Sequence, residues 1–243
     1  MSTFVLVHGA AHGAWCWYKV AARLEAAGHR VITPDLPGHG IDRTPMQGLS
    51  INDYAIAVES ILNTLDEPAI LVAHSLGGLT AQIVAERRPE KIRSIVYLAA
   101  IVLSAGHAIG TSPVMSQLFG EISASLAMDV ETESYAFPSD VATKLFYSDC
   151  DADDIALALR LLTPEPTATL GTTIDVTPDR YGTVRRFGII TQDDVILPSR
   201  LQGDLYEQDG ITETVTMPTA HSPFLNAPDS LTEHLLDFAG RAQ

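Results

Sequence analysis

The sequence predicts an α/β protein in which a mostly parallel sheet of about six strands carries helices on both faces and an inserted cap. Short apolar runs, typical of strands buried on both faces, alternate along the chain with segments of helical periodicity. Such alternation produces a parallel sheet with right-handed crossovers. The alternation breaks between residues 104 and 180 and then returns. The 243 residues, 46% of them hydrophobic, are enough for one such domain with an insertion.

Periodicity and turn residues divide the chain into elements. Residues 1–103 and 181–243 are predicted to form two parts of one core, and residues 104–180, richer in Ser, Thr, Pro and Asp, the cap. The predicted strands are residues 4–7, 30–35, 69–73, 92–99, 184–191 and 211–217. The predicted core helices are residues 15–27, 51–65, 79–87, 198–207 and 229–239, and those of the cap are 114–118, 139–146 and 153–162.

Composition narrows the class of protein. Fifteen Lys and Arg against 30 Asp and Glu give a formal net charge of −15, which disfavours nucleic acid and anionic membrane surfaces as partners. Cys16 and Cys150 form no CxxC pair, so neither a disulfide framework nor a zinc site is predicted. The N-terminal apolar run lacks a basic region before it, and no segment reaches the roughly 18 apolar residues of a membrane span. We therefore expect a soluble cytoplasmic protein.

A serine stands at a sharp corner between a buried strand and a helix. The stretch 73–78, Ala-His-Ser-Leu-Gly-Gly, follows an apolar run and precedes a helical segment. At such a corner the serine adopts a strained backbone conformation that presents its hydroxyl at the amino end of the helix, where an oxyanion is stabilised. Ala73 is a mild departure, because the pattern usually has glycine there. Ser75 is therefore predicted to be a nucleophile rather than an ordinary helix N-cap.

A serine nucleophile needs a base, and the base needs a carboxylate that orients it. In this architecture the acid and the base follow later strands, in the chain order Ser, Asp, His. The sequence has Asp193 and Asp194 after the strand 184–191, and His221 after the last strand. Ser75, His221 and one of the two aspartates are therefore predicted to form a catalytic triad.

The loop 8–13 follows the first strand, and its glycines allow backbone N–H groups to approach a ligand. The N–H of Ala10 in this loop and that of Leu76 after the nucleophile are predicted to form the oxyanion hole. His8 and His12 flank the glycines of the loop. We interpret them as supports of its shape rather than as catalytic groups.

Other polar positions receive less specific predictions. His74, beside the nucleophile, is predicted to be structural or to face the substrate, and Ala11 to contact the substrate. His39 is assigned to a surface turn without a function. The acidic run 149–154 resembles a metal loop, but it lacks the glycine and the closing glutamate of a calcium site. The start of a solvated helix is the favoured interpretation of this run.

Residues 4–18 resemble the opening of the α/β-hydrolase group that contains plant methyl esterases and hydroxynitrile lyases, of the salicylate methyl esterase and polyneuridine aldehyde esterase type. The resemblance continues through residues 73–78, 191–202 and His221, and it covers nearly the whole chain, although the cap matches loosely. It implies an α/β-hydrolase fold and a preference for small or aromatic esters over long acyl chains. It also implies a homodimer.

The resemblance favours one aspartate as the acid. In the family the catalytic aspartate is followed by a proline at the fourth or fifth position and a glutamine at the eighth. Counted from Asp194, these residues are Pro198 and Gln202. Counted from Asp193, Leu201 falls at the position of the glutamine. Asp194 is therefore the predicted acid, with Asp193 as the alternative.

The family's two chemistries differ at a few positions. Hydroxynitrile lyases of one type carry threonine, cysteine and lysine where this chain has Ala10, Leu76 and Ser222, and those of another type carry asparagine where it has Gly9. The sequence therefore predicts a serine carboxylesterase that forms an acyl-enzyme with a small-molecule ester and needs no metal or cofactor. The alternatives are a hydroxynitrile lyase, a binding protein for hydrophobic small ligands and a hydrolase of another acyl bond.

Overall fold

Strands and helices alternate over most of the chain in the computed structural model, which describes residues 1–242. The strands are β1 (Thr3–Val7), β2 (Arg30–Ile32), β3 (Ala69–His74), β4 (Ile92–Leu98), β5 (Ala127–Asp129), β6 (Ser134–Ala136), β7 (Glu165–Pro166), β8 (Arg185–Thr191) and β9 (Thr214–Met217). The α-helices are α1 (Tyr18–Ala26), α2 (Ile51–Asn63), α3 (Gly77–Arg87), α4 (Pro113–Ser123), α5 (Ser139–Phe146), α6 (Ala152–Leu161), α7 (Ser199–Gln208), α8 (Pro223–Asn226) and α9 (Pro228–Arg241).

The central sheet has six strands in the order β2-β1-β3-β4-β8-β9, and each neighbouring pair is parallel. This sheet confirms the predicted α/β class and the predicted number of strands. A second, antiparallel sheet of three short strands, β5-β6-β7, lies in the segment between β4 and β8. The sequence did not predict it, because strands of two or three residues are too short to show a period.

The central strands are buried on both faces, as their continuous apolar runs predict. Leu71 of β3 belongs to a core cluster with Val58 of α2, whereas its neighbour Ile70 belongs to a second cluster with Leu24 of α1 and Leu235 of α9. Successive side chains of a strand point to opposite faces, so helices must cover both sides of this sheet. The two resulting cores hold the sheet in place, and the polar loops that follow the strands meet at its carboxyl edge.

Some element boundaries differ from the predictions. The strand predicted at 30–35 ends at Ile32, so Asp35 lies outside it. The Asp35 carboxylate accepts a hydrogen bond from the Ala14 N–H at 2.7 Å. The last strand begins at Thr214 rather than at 211. A 3₁₀ turn, Ala14–Trp17, precedes α1, and α8 occupies part of a segment expected to be a loop.

The segment between β4 and β8 contains α4, α5, α6 and the small sheet, and we call it the cap; its predicted limits at residues 104 and 180 stay a prediction. The acidic run begins a helix, as expected, because the Asp151 side chain caps α6 by accepting the Asp154 N–H at 2.8 Å. Asp154 forms an ion pair with Lys19 at 2.6 Å. Within residues 1–242, no group of three His, Cys, Asp or Glu side chains is arranged to hold a metal ion.

No helix within the described part of the chain is both long enough and apolar enough to span a membrane.

Candidate active site

Four loops meet where the parallel strands end. β1 leads into the loop 8–13, β3 into Ser75, β8 into Asp194 and β9 into His221. Because the carboxyl ends of parallel strands share one edge of the sheet, residues distant in sequence converge there. Ala10, Ser75, Leu76 and His221 line one common cavity at this edge.

Ser75 has the strained backbone that the sequence predicts. Its φ is +52°, in the left-handed region, and its main chain is held by the Leu98 carbonyl, which accepts its N–H at 3.2 Å. A Cβ on Gly77 would lie 2.6 Å from the His8 carbonyl oxygen, and one on Gly78 would lie 2.3 Å from the Ile101 carbonyl oxygen. Backbone atoms cannot yield to such contacts, so the two glycines allow α3 to pack closely behind the serine.

Asp194 and His221 form a buried pair. Nδ1–H of His221 donates to Oδ2 of Asp194 at 2.7 Å, and the two side chains are almost inaccessible to solvent. In the neutral ring, the proton on Nδ1 that Asp194 accepts leaves Nε2 with its lone pair. Nε2 is buried and has no hydrogen-bond partner among residues 1–242. A base in this tautomer is ready to accept a proton from a nucleophile.

The carboxylate of Asp194 is fully engaged. Oδ1 accepts the N–H groups of Ile196 and Leu197 at 3.0 and 2.9 Å, and Oδ2 accepts the Thr191 hydroxyl at 2.9 Å and the Gln202 amide at 3.2 Å. The hydrogen bond from Gln202 explains why the glutamine spacing distinguishes Asp194 from Asp193. Asp193 is exposed, whereas Asp194 is the aspartate that the structure brings to the histidine.

Two backbone donors stand at the cavity without internal partners. The N–H groups of Ala10 and Leu76 donate to no acceptor within the part of the chain that the structure describes, and both residues line the cavity with Ser75. Leu76 is the N-cap of α3, so its N–H lies at the positive end of that helix. A developing oxyanion on an acyl group bonded to Ser75 would find the donors it needs here.

His8 and His12 shape the loop 8–13, as expected. Nδ1–H of His8 donates to the Gly9 carbonyl at 2.9 Å, and its Nε2 accepts the Leu36 N–H at 3.0 Å. Nδ1–H of His12 donates to the Ala10 carbonyl at 2.8 Å. Burial lowers the pKa of His12 to about 4, and the ring is neutral, so its Nε2 can accept the hydroxyl of a tyrosine in the cap.

The structure does not place His74 or Ala11 at the cavity, although both were predicted as substrate contacts. The ring of His74 is fully buried, and its Nε2–H donates to the carbonyl oxygen of His221 at 2.9 Å. Burial, together with His221 and His12 nearby, lowers the pKa of His74, so this ring is neutral. His74 therefore supports the main chain of the histidine loop. Ala11 is also buried, and its backbone faces the cap.

The cavity is strongly apolar. One wall comes from the cap, where one face of α4 contributes four apolar side chains. Apart from Ser75, His221 and Tyr135, the side chains that line the cavity are apolar, and no Asp, Glu, Lys or Arg within residues 1–242 is among them. The α4 side chains are those of Met115, Leu118, Phe119 and Ile122, at helical positions i, i+3, i+4 and i+7.

Three side chains near these loops were not identified from the sequence as partners of the site. The assignment of His39 to a surface turn was wrong, because the ring is buried and its Nε2 lies 2.9 Å from Oε2 of Glu165. Asp149 of the acidic run accepts the N–H of Ala220, the residue before His221, at 2.6 Å. Short polar segments have no periodicity that predicts contacts between residues far apart in the sequence, so only the folded chain reveals these contacts.

Known proteins are similar to this chain in sequence and in fold. A model described as "Alpha/beta hydrolase family" matches residues 4–233. The chain belongs to the alpha/beta hydrolase family. The hydrolase is 34% identical over 254 residues to Methylesterase 7 of Arabidopsis thaliana, with 98% of this chain and 96% of the relative covered.

Two further proteins are similar over their whole length. The hydrolase is 34% identical over 252 residues to Salicylic acid-binding protein 2 of Nicotiana tabacum, with 97% of this chain and 96% of the relative covered. The solved structure of polyneuridine aldehyde esterase superposes with a TM-score of 0.87 at 26% identity, covering 98% of this chain and 99% of that one. These similarities confirm the α/β-hydrolase fold and the resemblance to the methyl esterase group.

Proposed function

We propose that this hydrolase is a serine carboxylesterase that cleaves small or aromatic carboxylic esters, methyl esters included, through an acyl-enzyme on Ser75. One observation carries the proposal. His221, oriented by Asp194 at 2.7 Å, has its unpaired Nε2 and its ring at the cavity that Ser75 also lines. The similarity to Methylesterase 7 and to polyneuridine aldehyde esterase supports ester hydrolysis as the reaction.

The proposed reaction uses the site in two similar halves. His221 removes the proton of Ser75 as the hydroxyl oxygen attacks the ester carbonyl, and Asp194 stabilises the imidazolium. The N–H groups of Ala10 and Leu76 hold the oxyanion of the tetrahedral intermediate. His221 then protonates the leaving alcohol, and the bond between the carbonyl carbon and that oxygen breaks. Water repeats the sequence on the acyl-enzyme and releases the acid.

The cavity supports an uncharged, apolar acyl group as the substrate. An apolar surface binds such a group by excluding water, at about 25 cal/mol for each Å² buried. A carboxylate or ammonium group would lose its hydration in this cavity and would find no opposite charge there. Ester substrates whose acyl part carries a charge should therefore be poor.

The alternative of a hydroxynitrile lyase receives no support from the cavity. Cyanide leaves as an anion, and a cation near the leaving position favours its release. No cationic side chain within residues 1–242 lines the cavity, and Ser222 follows His221 where one lyase type has lysine. Ester hydrolysis needs no such charge.

The test is hydrolysis of p-nitrophenyl acetate and methyl salicylate by the wild type and by Ser75→Ala. We expect kcat/KM of the variant to fall at least about 10³-fold, because the nucleophile is lost. Ser104→Ala, the same change at an exposed serine, is the matched control and should keep the wild-type rate. Activity that survives Ser75→Ala would refute the assignment, and a folded wild type inactive on both esters would refute the proposed substrate class.

Two further expectations concern assembly and location. A homodimer and a cytoplasmic location rest on the family resemblance and on composition, respectively. Sedimentation at micromolar concentration and fractionation of expressing cells would test them.

A further inference from the structure

A carboxylate of the cap is buried next to the oxyanion loop. Oε2 of Glu165 accepts the N–H of Ala11 at 2.9 Å, and its Oε1 accepts the hydroxyl of Tyr54 at 3.0 Å. The side chain has almost no exposed surface. Burying a carboxylate is costly unless its oxygens are hydrogen-bonded and its charge is paired. No step of the proposed ester hydrolysis uses this group, although it bonds the residue next to a proposed oxyanion donor.

The partner of Glu165 is a buried, charged histidine. Both ring nitrogens of His39 face acceptors, because Nδ1 lies 3.1 Å from the Pro37 carbonyl and Nε2 lies 2.9 Å from Oε2 of Glu165. Both nitrogens therefore carry protons. Burial alone would lower the pKa of His39. The charge and hydrogen bond of Glu165, the Pro37 carbonyl and the charge of Asp35 together raise the pKa. The ion pair of His39 with Glu165 places a charge-assisted acceptor at the Ala11 N–H.

Ala11 has a backbone conformation that an alanine avoids without support. Its φ is +62°, in the left-handed region where a Cβ is strained. The cap holds this residue on both sides, since Glu165 accepts its N–H and the Thr163 N–H donates to its carbonyl at 2.9 Å. The Ala10–Ala11 peptide therefore has a fixed orientation, and the N–H of Ala10 belongs to the adjacent peptide of the same short loop.

We propose that Glu165, paired with His39, is a positioning residue that fixes the Ala10 N–H for the oxyanion through the backbone of Ala11. The cap thereby completes the oxyanion hole as well as covering the cavity. This inference rests on the proposed esterase function, because an oxyanion must form at Ser75. It assigns to two side chains, 126 residues apart in the sequence, an effect on kcat rather than on substrate binding.

The main variant is Glu165→Ala, with Glu165→Gln as the conservative change. We expect Glu165→Ala to lower kcat for p-nitrophenyl acetate about 10- to 100-fold with KM within about threefold, because a misplaced oxyanion donor weakens only the transition state. In Glu165→Gln the side-chain amide oxygen can still accept the Ala11 N–H, and kcat should then stay within about fivefold. Phenylboronic acid adds to the Ser75 oxygen to give an anionic tetrahedral boronate. Its affinity for Glu165→Ala should fall by the same factor by which kcat falls.

The matched control is Asp154→Ala. It also removes a buried cap carboxylate from an ion pair with the core, but that pair involves Lys19 and not the oxyanion loop. We expect its kcat and boronate affinity to stay within about twofold of the wild type. If Glu165→Ala and Asp154→Ala change kcat equally, Glu165 has only a structural role and the proposal is overturned.

Amide hydrogen exchange over residues 8–13 measures the loop without turnover. Exchange should accelerate in Glu165→Ala and stay at the wild-type rate in Asp154→Ala; equal rates in both would overturn the proposal even if the wild type hydrolysed no ester. If Glu165→Ala does not fold, kcat and boronate affinity of Glu165→Gln test the proposal instead. A fall in its kcat without a matching loss of boronate affinity would contradict the proposal. Failure of the wild type to hydrolyse any ester counts against the proposed function instead.

Discussion

Ser75 and Ala11 belong to two different loops near the proposed reaction centre, and both have a left-handed backbone without being glycine. The two strained residues are held in different ways. The sheet holds Ser75, since its N–H and its carbonyl form hydrogen bonds with the chain at and after the end of β4. Gly77 and Gly78 let the neighbouring backbone pack closely against this corner. Ala11 is held by side-chain and backbone groups of the cap, about 150 residues away in the sequence.

This comparison separates two sources of catalytic geometry. The proposed nucleophile depends on its own strand and on bonds to the neighbouring strand β4, so its position follows from the sheet. The oxyanion loop depends on the cap, so a change far from Ser75 can alter the chemistry. We therefore expect changes on the sheet side to abolish the reaction and changes in the cap to reduce or redirect it.

The largest effect is expected for Asp194→Asn on the sheet side. The amide would no longer hold His221 in the tautomer that leaves Nε2 unprotonated, and kcat should fall about 10³- to 10⁴-fold. Asp193→Asn makes the same change at the exposed neighbour and should leave kcat unchanged. Steady-state kinetics on p-nitrophenyl acetate measure both variants. A loss of activity in Asp193→Asn rather than in Asp194→Asn would reverse the assignment of the acid.

An intermediate effect is expected where the cap contacts the histidine loop. Asp149→Ala removes the acceptor of the Ala220 N–H, a bond to a charged group, and the loop that carries His221 should become less ordered. We expect kcat to fall about 3- to 10-fold, well below the effect of Asp194→Asn. Asp153→Ala, at an exposed carboxylate of the same acidic run, is the control and should behave as the wild type. A kcat in Asp149→Ala equal to that of the control would show that the cap does not act on this loop.

The smallest effect on the chemical step is expected for the cavity wall. Leu118→Ala enlarges the cavity by a few methylene groups, so KM for short acyl esters should rise about 3- to 10-fold while esters of longer acyl chains improve. kcat should change little, because no catalytic contact is lost. Glu121→Ala, on the exposed side of the same helix, should alter neither parameter. A series of p-nitrophenyl esters from acetate to octanoate provides the measurement, and an unchanged chain-length preference would contradict the role of α4.

The sequence alone predicts the sheet side of this comparison well. Two features there have a local signature, the apolar run before Ser75 and the glycines after it. The choice of Asp194 over Asp193 rests instead on the family resemblance, whose spacing to Gln202 corresponds to a hydrogen bond in the structure. Periodicity is a property of neighbouring residues, and these features depend on neighbours.

The cap side is harder to predict for a physical reason. Glu165 lies between two prolines and His39 lies in a glycine-rich turn, so both segments have the composition of exposed loops. Their burial results from a contact between distant segments, and neither segment alone contains the information. His74 shows the same limit, because its neighbour in sequence is the proposed nucleophile but its hydrogen bond goes to the main chain of His221.

The four apolar residues on one face of α4 have a consequence for how this enzyme family can diversify. They belong to a single helix, on a chain segment separate from those that carry Ser75, Asp194 and His221. Substitutions there can change the shape of the acyl site while the reacting groups keep their positions. New substrate preferences can therefore arise by mutation of one short segment, without passing through inactive intermediates.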